Sequence, residues 1–355
     1  MTALAIPRAA APRPMPAPTV TLAHGAGGKA MRDLIRDVFV AAFDNPLLAP
    51  LEDQARIELA GLQAHGDRLA FTTDSYVVDP LFFPGGDIGK LAVCGTVNDL
   101  AVGGAVPLYL SCAVIIEEGV EIELLRRVAR SMADAARAAG IGIVTGDTKV
   151  VNRGACDKLF VTTSGIGAIP AGRHLGADRA APGDCVVVNG TLGDHGAAIL
   201  AARGDLALDS PIASDCASLH GLVAALLAAA PGTRFLRDAT RGGVAAVLNE
   251  LAAASGVGIE LFEAALPIGE AVRGLCELLG LDPLYLANEG KLIAIVPEPQ
   301  AEAALAALRR DPLGIDAAMV GRVVAGPPGR ATLRTVLGGR RIVDMPVGEQ
   351  LPRIC

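Results

Sequence analysis

Four aspartates stand at predicted strand ends or in glycine-rich turns, where carboxylates from distant parts of a chain could converge on one cation. They are Asp74, Asp99, Asp147 and Asp238. Carboxylate oxygens suit Mg²⁺, which in proteins takes few carboxylate ligands and shares substrate phosphates. Each aspartate alone could be an ordinary turn or cap residue. The four together favour a magnesium–phosphate site, and we predict all four as metal ligands that also contact phosphate.

Four glycine-rich stretches accompany these carboxylates. The first contains His24, Gly25, Gly27 and Gly28, and the others lie at 85–86, 193–196 and 241–243. Glycines before a helix let phosphate oxygens approach backbone N–H groups, although most glycines only permit a turn. Neither a Walker loop nor a dinucleotide fingerprint is present. His24 and His195, which lie inside such loops, are either phosphate donors or polar turn residues.

Three further residues could carry out covalent or proton-transfer chemistry. Lys149 follows Asp147 by two positions, and Glu289 precedes an apolar strand, so the two are either proton-handling groups or an ordinary ion pair. Cys355 is the last residue of a polar, proline-punctuated segment that starts near Gly338. A prenylation motif needs three residues after its cysteine, so Cys355 is not such a site. We predict a reactive thiol on a mobile tail, residues 338–355.

Composition excludes several classes of function. A formal charge of −7, 3% aromatic residues and no Trp argue against a nucleic-acid partner. The sequence has no apolar run near the length of roughly 20 residues needed to span a bilayer. Residues 1–18 are rich in Ala and Pro and lack a signal-peptide core, which predicts a disordered extension. Seven cysteines without CxxC spacing favour reduced thiols in the cytoplasm.

The elements that must position these groups fall into two sets, divided at Pro170. In the first set, the pattern predicts strands over 69–73, 106–116 and 158–169, a further strand that begins at 141, and helices over 87–102 and 121–139. In the second set, the pattern predicts strands over 185–188, 257–262, 292–296 and 319–324, and helices over 193–203, 215–229, 241–254, 268–279 and 299–309. A length of 355 residues fits two domains. We predict two α+β or α/β lobes, with domain boundaries at 19–169 and 170–337.

Seven segments together resemble one enzyme family. They read LAHG at 22–25, FTTDSY at 71–76, GDTKV at 146–150, GDHG at 193–196, DATRGG at 238–243, NEGK at 288–291 and PRIC at the C-terminus. The chain looks like the HypE carbamoyl dehydratases of nickel–iron hydrogenase maturation, over residues 20–355. The Pro/Ala-rich extension departs from that pattern. The family belongs to the superfamily of aminoimidazole ribonucleotide synthetase (PurM-like) and selenophosphate synthetase.

The resemblance implies a two-domain PurM-like fold with flexible N- and C-terminal tails, usually dimeric. It implies ATP and Mg²⁺ as cofactors, and Asn98, Thr145 and Gly146 as further ATP contacts beside the aspartates. A HypF-type carbamoyltransferase would load Cys355, and ATP-dependent dehydration would convert the carbamoyl group to a cyano group. Lys149 and Glu289 would flank the modified thiol, with the choice of base left open. A HypC–HypD complex that carries iron would accept the cyanide.

Other readings of the same residues remain. A selenophosphate synthetase carries its reactive Cys or Sec near the N-terminus, whereas the first cysteine here is Cys94. A thiamine-phosphate kinase-like enzyme needs no terminal cysteine. A non-catalytic scaffold, which docks partners through its tail, would not need the acidic and glycine-rich positions.

Overall fold

The computed structural model describes residues 18–204, 211–348 and 351–355. The extension predicted to be disordered, residues 1–18, lies outside the described residues except for Pro18. The Pro18 carbonyl accepts a hydrogen bond from the Ile122 N–H at 2.9 Å. Among the described residues, no helix combines the length and the apolar character that a membrane crossing requires.

The first lobe is built on a four-stranded sheet. Its strands are β1 (Arg68–Tyr76), β4 (Val106–Glu117), β5 (Gly142–Val151) and β6 (Leu159–Ile169), and a hairpin of β2 (Phe82–Phe83) and β3 (Gly86–Asp87) lies beside it. The sheet order is β1-β6-β4-β5, in which only β4 and β5 are parallel. Its helices are α1 (Lys29–Leu34), a π-helical segment (Ile35–Val40), α2 (Ala41–Phe43), α3 (Leu59–Gln63), α4 (Ile88–Val102) and α5 (Ile122–Ala138), preceded by a 3₁₀ turn (Leu22–Gly25).

The second lobe is built on a seven-stranded sheet. Its strands are β7 (Cys185–Val188), β8 (Phe235–Asp238), β9 (Gly258–Phe262), β10 (Leu292–Val296), β11 (Ala318–Val324), β12 (Arg330–Arg334) and β13 (Arg340–Val343). The order is β13-β12-β9-β11-β7-β10-β8, and only β9 and β12 are parallel. Its helices are α6 (Asp194–Ala202), α7 (His220–Ala229), α8 (Gly243–Ser255), α9 (Glu270–Leu279) and α10 (Glu298–Leu308), with 3₁₀ turns at Glu263–Ala265, Pro283–Tyr285 and Pro312–Gly314. Mostly antiparallel sheets covered by helices confirm the α+β form of the prediction.

Helix α4 joins the two lobes and is almost entirely buried. It packs on α5 and on β1, β4 and β6, and it also contacts α7 and β8 of the second lobe. Asp87 caps its first turn, because its Oδ1 accepts hydrogen bonds from the N–H groups of Gly89 (2.8 Å) and Lys90 (3.2 Å). Its Asn98 side chain contacts Ala217 and Leu219 of the second lobe, whereas Thr96 hydrogen-bonds within the first lobe.

Several predicted elements differ from the structure. Asp99 lies inside α4, and Asp74 and Asp147 lie within β1 and β5, so these three are not in turns or at strand ends. Helix α7 begins at His220 rather than 215. Strands β8, β12 and β13 were not predicted, and β13 places residues 340–343 in the sheet rather than in a mobile tail. In the structure, therefore, the tail begins after Val343 and not at Gly338.

The apolar run 106–116 is an internal strand. Strand β4 pairs with β5 on one side and with β6 on the other, so neither of its edges is open. Leu110, Val114 and Ile116 alternate into the lobe's own core. The run therefore needs no second subunit to explain its hydrophobicity, although the opposite face of the sheet leaves Ile115 exposed.

Candidate functional site

Three of the four predicted aspartates meet at the boundary between the lobes. Asp74 comes from β1, Asp99 from α4 and Asp238 from the end of β8. Burial, followed by repulsion from Asp74, raises the pKa of Asp99 to about 6. Burial, followed by repulsion from Asp99, raises the pKa of Asp238 to about 7. Carboxylates that repel one another in this way form a site prepared for a cation.

Two hydroxyl groups fix the orientation of these carboxylates. Thr72 Oγ1 donates to Asp99 Oδ2 at 2.8 Å, and Tyr76 Oη donates to Asp74 Oδ2 at 3.1 Å. Strand alternation explains the arrangement, since Thr72, Asp74 and Tyr76 all point from β1 towards α4. Burial, with the nearby Asp74 charge, raises the pKa of Tyr76 well above its usual value, so the phenol keeps the proton that it donates.

Glu289 and Cys355 lie close to each other in the site. Glu289 is buried, Cys355 is half-buried, and the two groups are near enough for each to shift the pKa of the other. Burial raises the pKa of Glu289 well above its usual value, with repulsion from Asp238 and Asp215 adding to it. Burial and the Glu289 charge raise the pKa of Cys355 as well. Glu289 Oε1 has no hydrogen-bond partner within the described residues, so one oxygen remains available to accept a proton.

Arg241 is a member of the site that the sequence did not single out. Its charge opposes the rise in the pKa of Cys355, so it lies close enough to interact with the thiol. The available signal was its place in the DATRGG segment, between the Asp238 carboxylate and the Gly242–Gly243 pair. Arg241 also lines a cavity of about 430 Å³, whose walls include Ala246 and Glu250 of α8 and the C-terminal residues Met345, Pro346, Gly348, Leu351 and Ile354.

The last four residues are docked rather than free in the described structure. Ile354 is 5% exposed and packs into the core of the first lobe, together with Ile199 of α6. His195, which is fully buried, contacts the Ile354 carbonyl oxygen through Nε2 at 2.8 Å and Ser214 Oγ through Nδ1 at 2.8 Å. Both ring nitrogens of His195 are therefore engaged by the chain itself when the tail is docked. Arg353 pairs with Asp157 at 3.0 Å.

Asp147 and Lys149 lie elsewhere in the described chain. Both are exposed on edge strand β5, where Asp147 is in register with Ala113 and Lys149 with Ile115. Two strands lie between β5 and β1 in the sheet. From the usual spacing between strands, Asp147 is therefore about 14 Å from Asp74 across the sheet. Within one chain, therefore, Asp147 does not join the other three aspartates, and Lys149 does not flank Cys355.

A second group of predicted phosphate contacts lines a separate cavity. This cavity of about 610 Å³ lies between α1 and the sheet, and its walls include Gly27, Gly28, Thr145, Gly146 and Asp147. Gly28 is the residue before α1, so the predicted arrangement of glycines before a helix is present.

The remaining predicted contacts are occupied by the chain itself. His24 Nδ1 accepts a hydrogen bond from the Thr21 N–H at 3.0 Å. Gly25 packs tightly against Val150 of β5. The buried Asn98 amide donates to the Ala217 carbonyl at 3.0 Å and accepts from the Leu219 N–H at 2.7 Å. These contacts make His24 and Asn98 parts of the framework in this structure.

The described residues do not by themselves complete a metal site. Across 18–204, 211–348 and 351–355, no group of three or more His, Cys, Asp or Glu side chains is arranged to hold a metal ion. The hard oxygen donors of Asp74, Asp99 and Asp238 nevertheless fit Mg²⁺, provided that phosphate oxygens supply further ligands.

Comparisons with known proteins identify relatives over nearly the whole chain. The family models for the N-terminal and C-terminal domains of AIR synthase related proteins match residues 51–169 and 181–334. Carbamoyl dehydratase HypE of Rhodobacter capsulatus is 65% identical over 336 residues, which cover 95% of this chain and 98% of that protein.

Two solved structures extend the comparison. A crystal structure of the hydrogenase maturation protein HypE in complex with ATP has a TM-score of 0.89 at 51% identity, covering 94% of this chain and 99% of the other. A HypE–HypF complex includes a chain with a TM-score of 0.76 at 48% identity, covering 88% of this chain and 99% of that one.

Proposed function

Because this chain belongs to the carbamoyl dehydratase HypE family of AIR synthase related proteins, we propose that its Cys355 thiol carries a carbamoyl group that is dehydrated to a cyano group with consumption of ATP. The enzyme is a carbamoyl dehydratase, and its reaction supplies cyanide ligands for the iron of nickel–iron hydrogenase. The observation that carries the residue-level proposal is the docking of Ile354, whose carbonyl contacts buried His195 and which brings the next residue, Cys355, close to the buried Glu289 carboxylate.

The reaction needs ATP because an amide oxygen is a poor leaving group. The carbamoyl oxygen attacks the γ-phosphorus of ATP, ADP leaves, and one N–H proton is lost, which gives an imino phosphate ester on sulfur. Loss of the second N–H proton then breaks the C–O bond, and phosphate departs with both electrons of that bond. The nitrogen forms a triple bond to carbon, and the product is a thiocyanate on Cys355.

Glu289 is the base that the geometry favours. Its raised pKa makes its carboxylate a stronger proton acceptor than an ordinary glutamate. Its Oε1 atom has no partner in the described chain, while the Cys355 thiol interacts with the same carboxylate. A carbamoyl group on Sγ would therefore lie beside a free acceptor oxygen. The Arg241 charge would favour the phosphate that develops next to the thiol.

We assign the Mg²⁺-binding role to Asp74, Asp99 and Asp238, with the ion shared with the phosphates of ATP. When bound, the ion would neutralise negative charge on the triphosphate. Thr72 and Tyr76 hold two of these carboxylates in place before the nucleotide arrives. We assign the remaining nucleotide contacts to the cavity lined by Gly27, Gly28 and residues 145–147.

We further propose that the chain forms a homodimer through the outer face of the four-stranded sheet. Leu69, Phe71 and Ile115 leave 61%, 68% and 40% of their surface exposed on that face. The same face carries Asp147 and Lys149, because strand alternation turns their neighbours Thr148 and Val150 to the core. A role for Lys149 beside Cys355, or for Asp147 beside the other three aspartates, therefore requires the second copy.

The remaining partners follow from the family. A HypF-type carbamoyltransferase would load Cys355, as the HypE–HypF complex of a relative suggests, and a HypC–HypD complex would accept the cyanide. We place the enzyme in the cytoplasm, where its seven free cysteines stay reduced. For the domains we retain boundaries at 19–169 and 170–337.

The decisive experiment follows the mass of the C-terminal peptide. Purified protein is incubated with a HypF-type enzyme, a carbamoyl donor and Mg-ATP, and the peptide that contains Cys355 is analysed by mass spectrometry. The wild type should gain a carbamoyl group and then lose the mass of one water. Glu289→Gln should keep the carbamoyl adduct without losing water. Loss of water at normal rate in Glu289→Gln would exclude Glu289 as the base, and an adduct on another cysteine would overturn the proposal.

A further inference from the structure

Three consecutive carbonyl groups of the tail are bound by side chains from the two ends of α6. His195, in the first turn, contacts the Ile354 carbonyl at 2.8 Å. Arg203, directly after the last turn, donates to the carbonyls of Pro352 and Arg353, the latter at 3.0 Å. The tail therefore runs back along α6, from its C-terminal end to its N-terminal end.

The hydrogen bonds around His195 select one tautomer. Ser214 Oγ accepts the Cys216 N–H at 3.1 Å, so its own proton is free to be donated to His195 Nδ1. The Nε2 atom must then carry the imidazole proton and donate it to the Ile354 carbonyl. Burial lowers the pKa of His195, which agrees with a neutral ring.

Arg203, like His195, is hydrogen-bonded both to the body of the protein and to the tail. Its Nε donates to the Asp79 carbonyl at 3.1 Å, while the Asp79 N–H donates to the Arg353 carbonyl at 3.2 Å. Arg203 Nε thus binds the body of the protein, while the terminal nitrogen of the same guanidinium group binds the tail.

We infer that His195, Ser214 and Arg203 form a carbonyl clamp that positions the tail for dehydration and whose release exposes Cys355 to its partners. The inference deepens the proposed function and rests on it for the role of Cys355. The clamp binds only backbone carbonyls, so it docks the tail equally whether Sγ carries a proton, a carbamoyl group or a cyano group. His195 and Arg203 are positioning residues, because they act through the tail and do not reach the sulfur's substituent.

The clamp is tested on the unloaded full-length protein by alkylation of Cys355 with N-ethylmaleimide. His195→Ala and Arg203→Ala should each raise the alkylation rate about fivefold, since each removes hydrogen bonds that hold the docked tail. Arg203→Lys, and His195→Gln with its amide donor, should restore part of the protection. Ser214→Ala should resemble His195→Ala in a weaker form.

Cys185, which is buried in β7 within a hydrophobic cluster that contains none of residues 351–355, serves as the internal control. It should stay unmodified in every variant. Equal alkylation of Cys355 in wild type, His195→Ala and Arg203→Ala would overturn the clamp, and so would a parallel rise at Cys185, which would mean general loosening. If His195→Ala does not fold, Arg203→Ala decides the question alone.

A kinetic readout separates positioning from stability. With carbamoylated protein, His195→Ala should lower kcat while leaving the KM for ATP unchanged, and His195→Gln should recover part of kcat. An increase in the KM for ATP without a change in kcat would contradict a role in tail docking. The alkylation result does not depend on dehydration, so failure of the clamp and failure of the proposed function are distinguishable.

Discussion

The Tyr76 hydroxyl donates a hydrogen bond to Asp74 Oδ2 over 3.1 Å, from a buried position two residues along the same strand. Gly95 of α4 makes this possible, because a Cβ at that position would overlap the phenol oxygen. The pair links the core of the first lobe to the carboxylate that we assign to Mg²⁺.

The first prediction concerns this pair. Tyr76→Phe should weaken Mg-ATP binding about fivefold by calorimetry, because Asp74 loses the donor that fixes it. Gly95→Ala should destabilise the protein by about 1–3 kcal/mol through overpacking against the hydroxyl. The double variant should recover much of that stability, since the overlapping oxygen is gone. Strict additivity of the two single changes would contradict the contact as the cause.

The second prediction concerns the dependence of stability on pH. Burial raises the pKa of Asp238 from 3.8 to about 7 in the folded protein, so the folded state binds a proton more tightly than the unfolded chain. This tighter proton binding contributes fully to the free energy of unfolding below about pH 4, and the contribution is lost as the pH rises to about 7. The total loss in the free energy of unfolding is at most about 4 kcal/mol. In the absence of nucleotide and Mg²⁺, the free energy of unfolding is measured with urea at a series of pH values. Between about pH 4 and pH 7 it should depend less on pH in Asp238→Asn than in the wild type. Superimposable curves for the two proteins would rule out the effect.

The third prediction separates the aspartates by function. Asn substitutions at Asp74, Asp99 and Asp238 should reduce the Mg²⁺ dependence of ATP binding. Asp147→Asn should weaken nucleotide binding while leaving the Mg²⁺ titration of the bound nucleotide close to that of wild type. Unchanged isotherms in all four variants would remove the metal and nucleotide assignments together.

The fourth prediction concerns Cys355. Cys355→Ala should lose all carbamoyl-dependent dehydration, yet its free energy of unfolding should stay within about 1 kcal/mol of wild type, because Cys355 is only half-buried whereas Ile354 beside it is buried in the core. Adding one residue after Cys355 should preserve ATP binding and impair dehydration, since the thiol must reach Glu289. Cyanated protein from the Cys355→Ala variant would refute the carrier role.

The fifth prediction concerns the homodimer. Phe71→Asp should shift the protein from dimer to monomer in sedimentation experiments, because it places a charge on the exposed sheet face. Glu302→Asp, a conservative exposed change on α10, is the matched control. A wild type that sediments as a monomer at micromolar concentration would exclude the dimer.

Mixed dimers test the shared site. Combining the inactive variants Lys149→Ala and Cys355→Ala should restore part of the activity if Lys149 acts on the thiol of the second copy. The absence of any recovery in confirmed mixed dimers would exclude that role for Lys149.

The sequence alone determined the family and most of the elements, and it led to the proposal that Cys355 is the carrier thiol. Helices such as α4 and α5 were predictable because their apolar spacing and the Asp87 cap are local signals. The short strands β8, β12 and β13 were not, because their charged residues interrupt the apolar run that made the equally short β7 and β10 predictable.

Only the tertiary structure decided which predicted residues meet. Asp74, Asp99 and Asp238 come together because β1, α4 and β8 pack at one boundary, whereas the order β1-β6-β4-β5 separates Asp147 and Lys149 from them. The roles of His195 and Arg203 depend on a tail about 150 residues later in the chain. Sequence spacing cannot encode such contacts, since they arise from the packing of elements and not from the periodicity of any one of them.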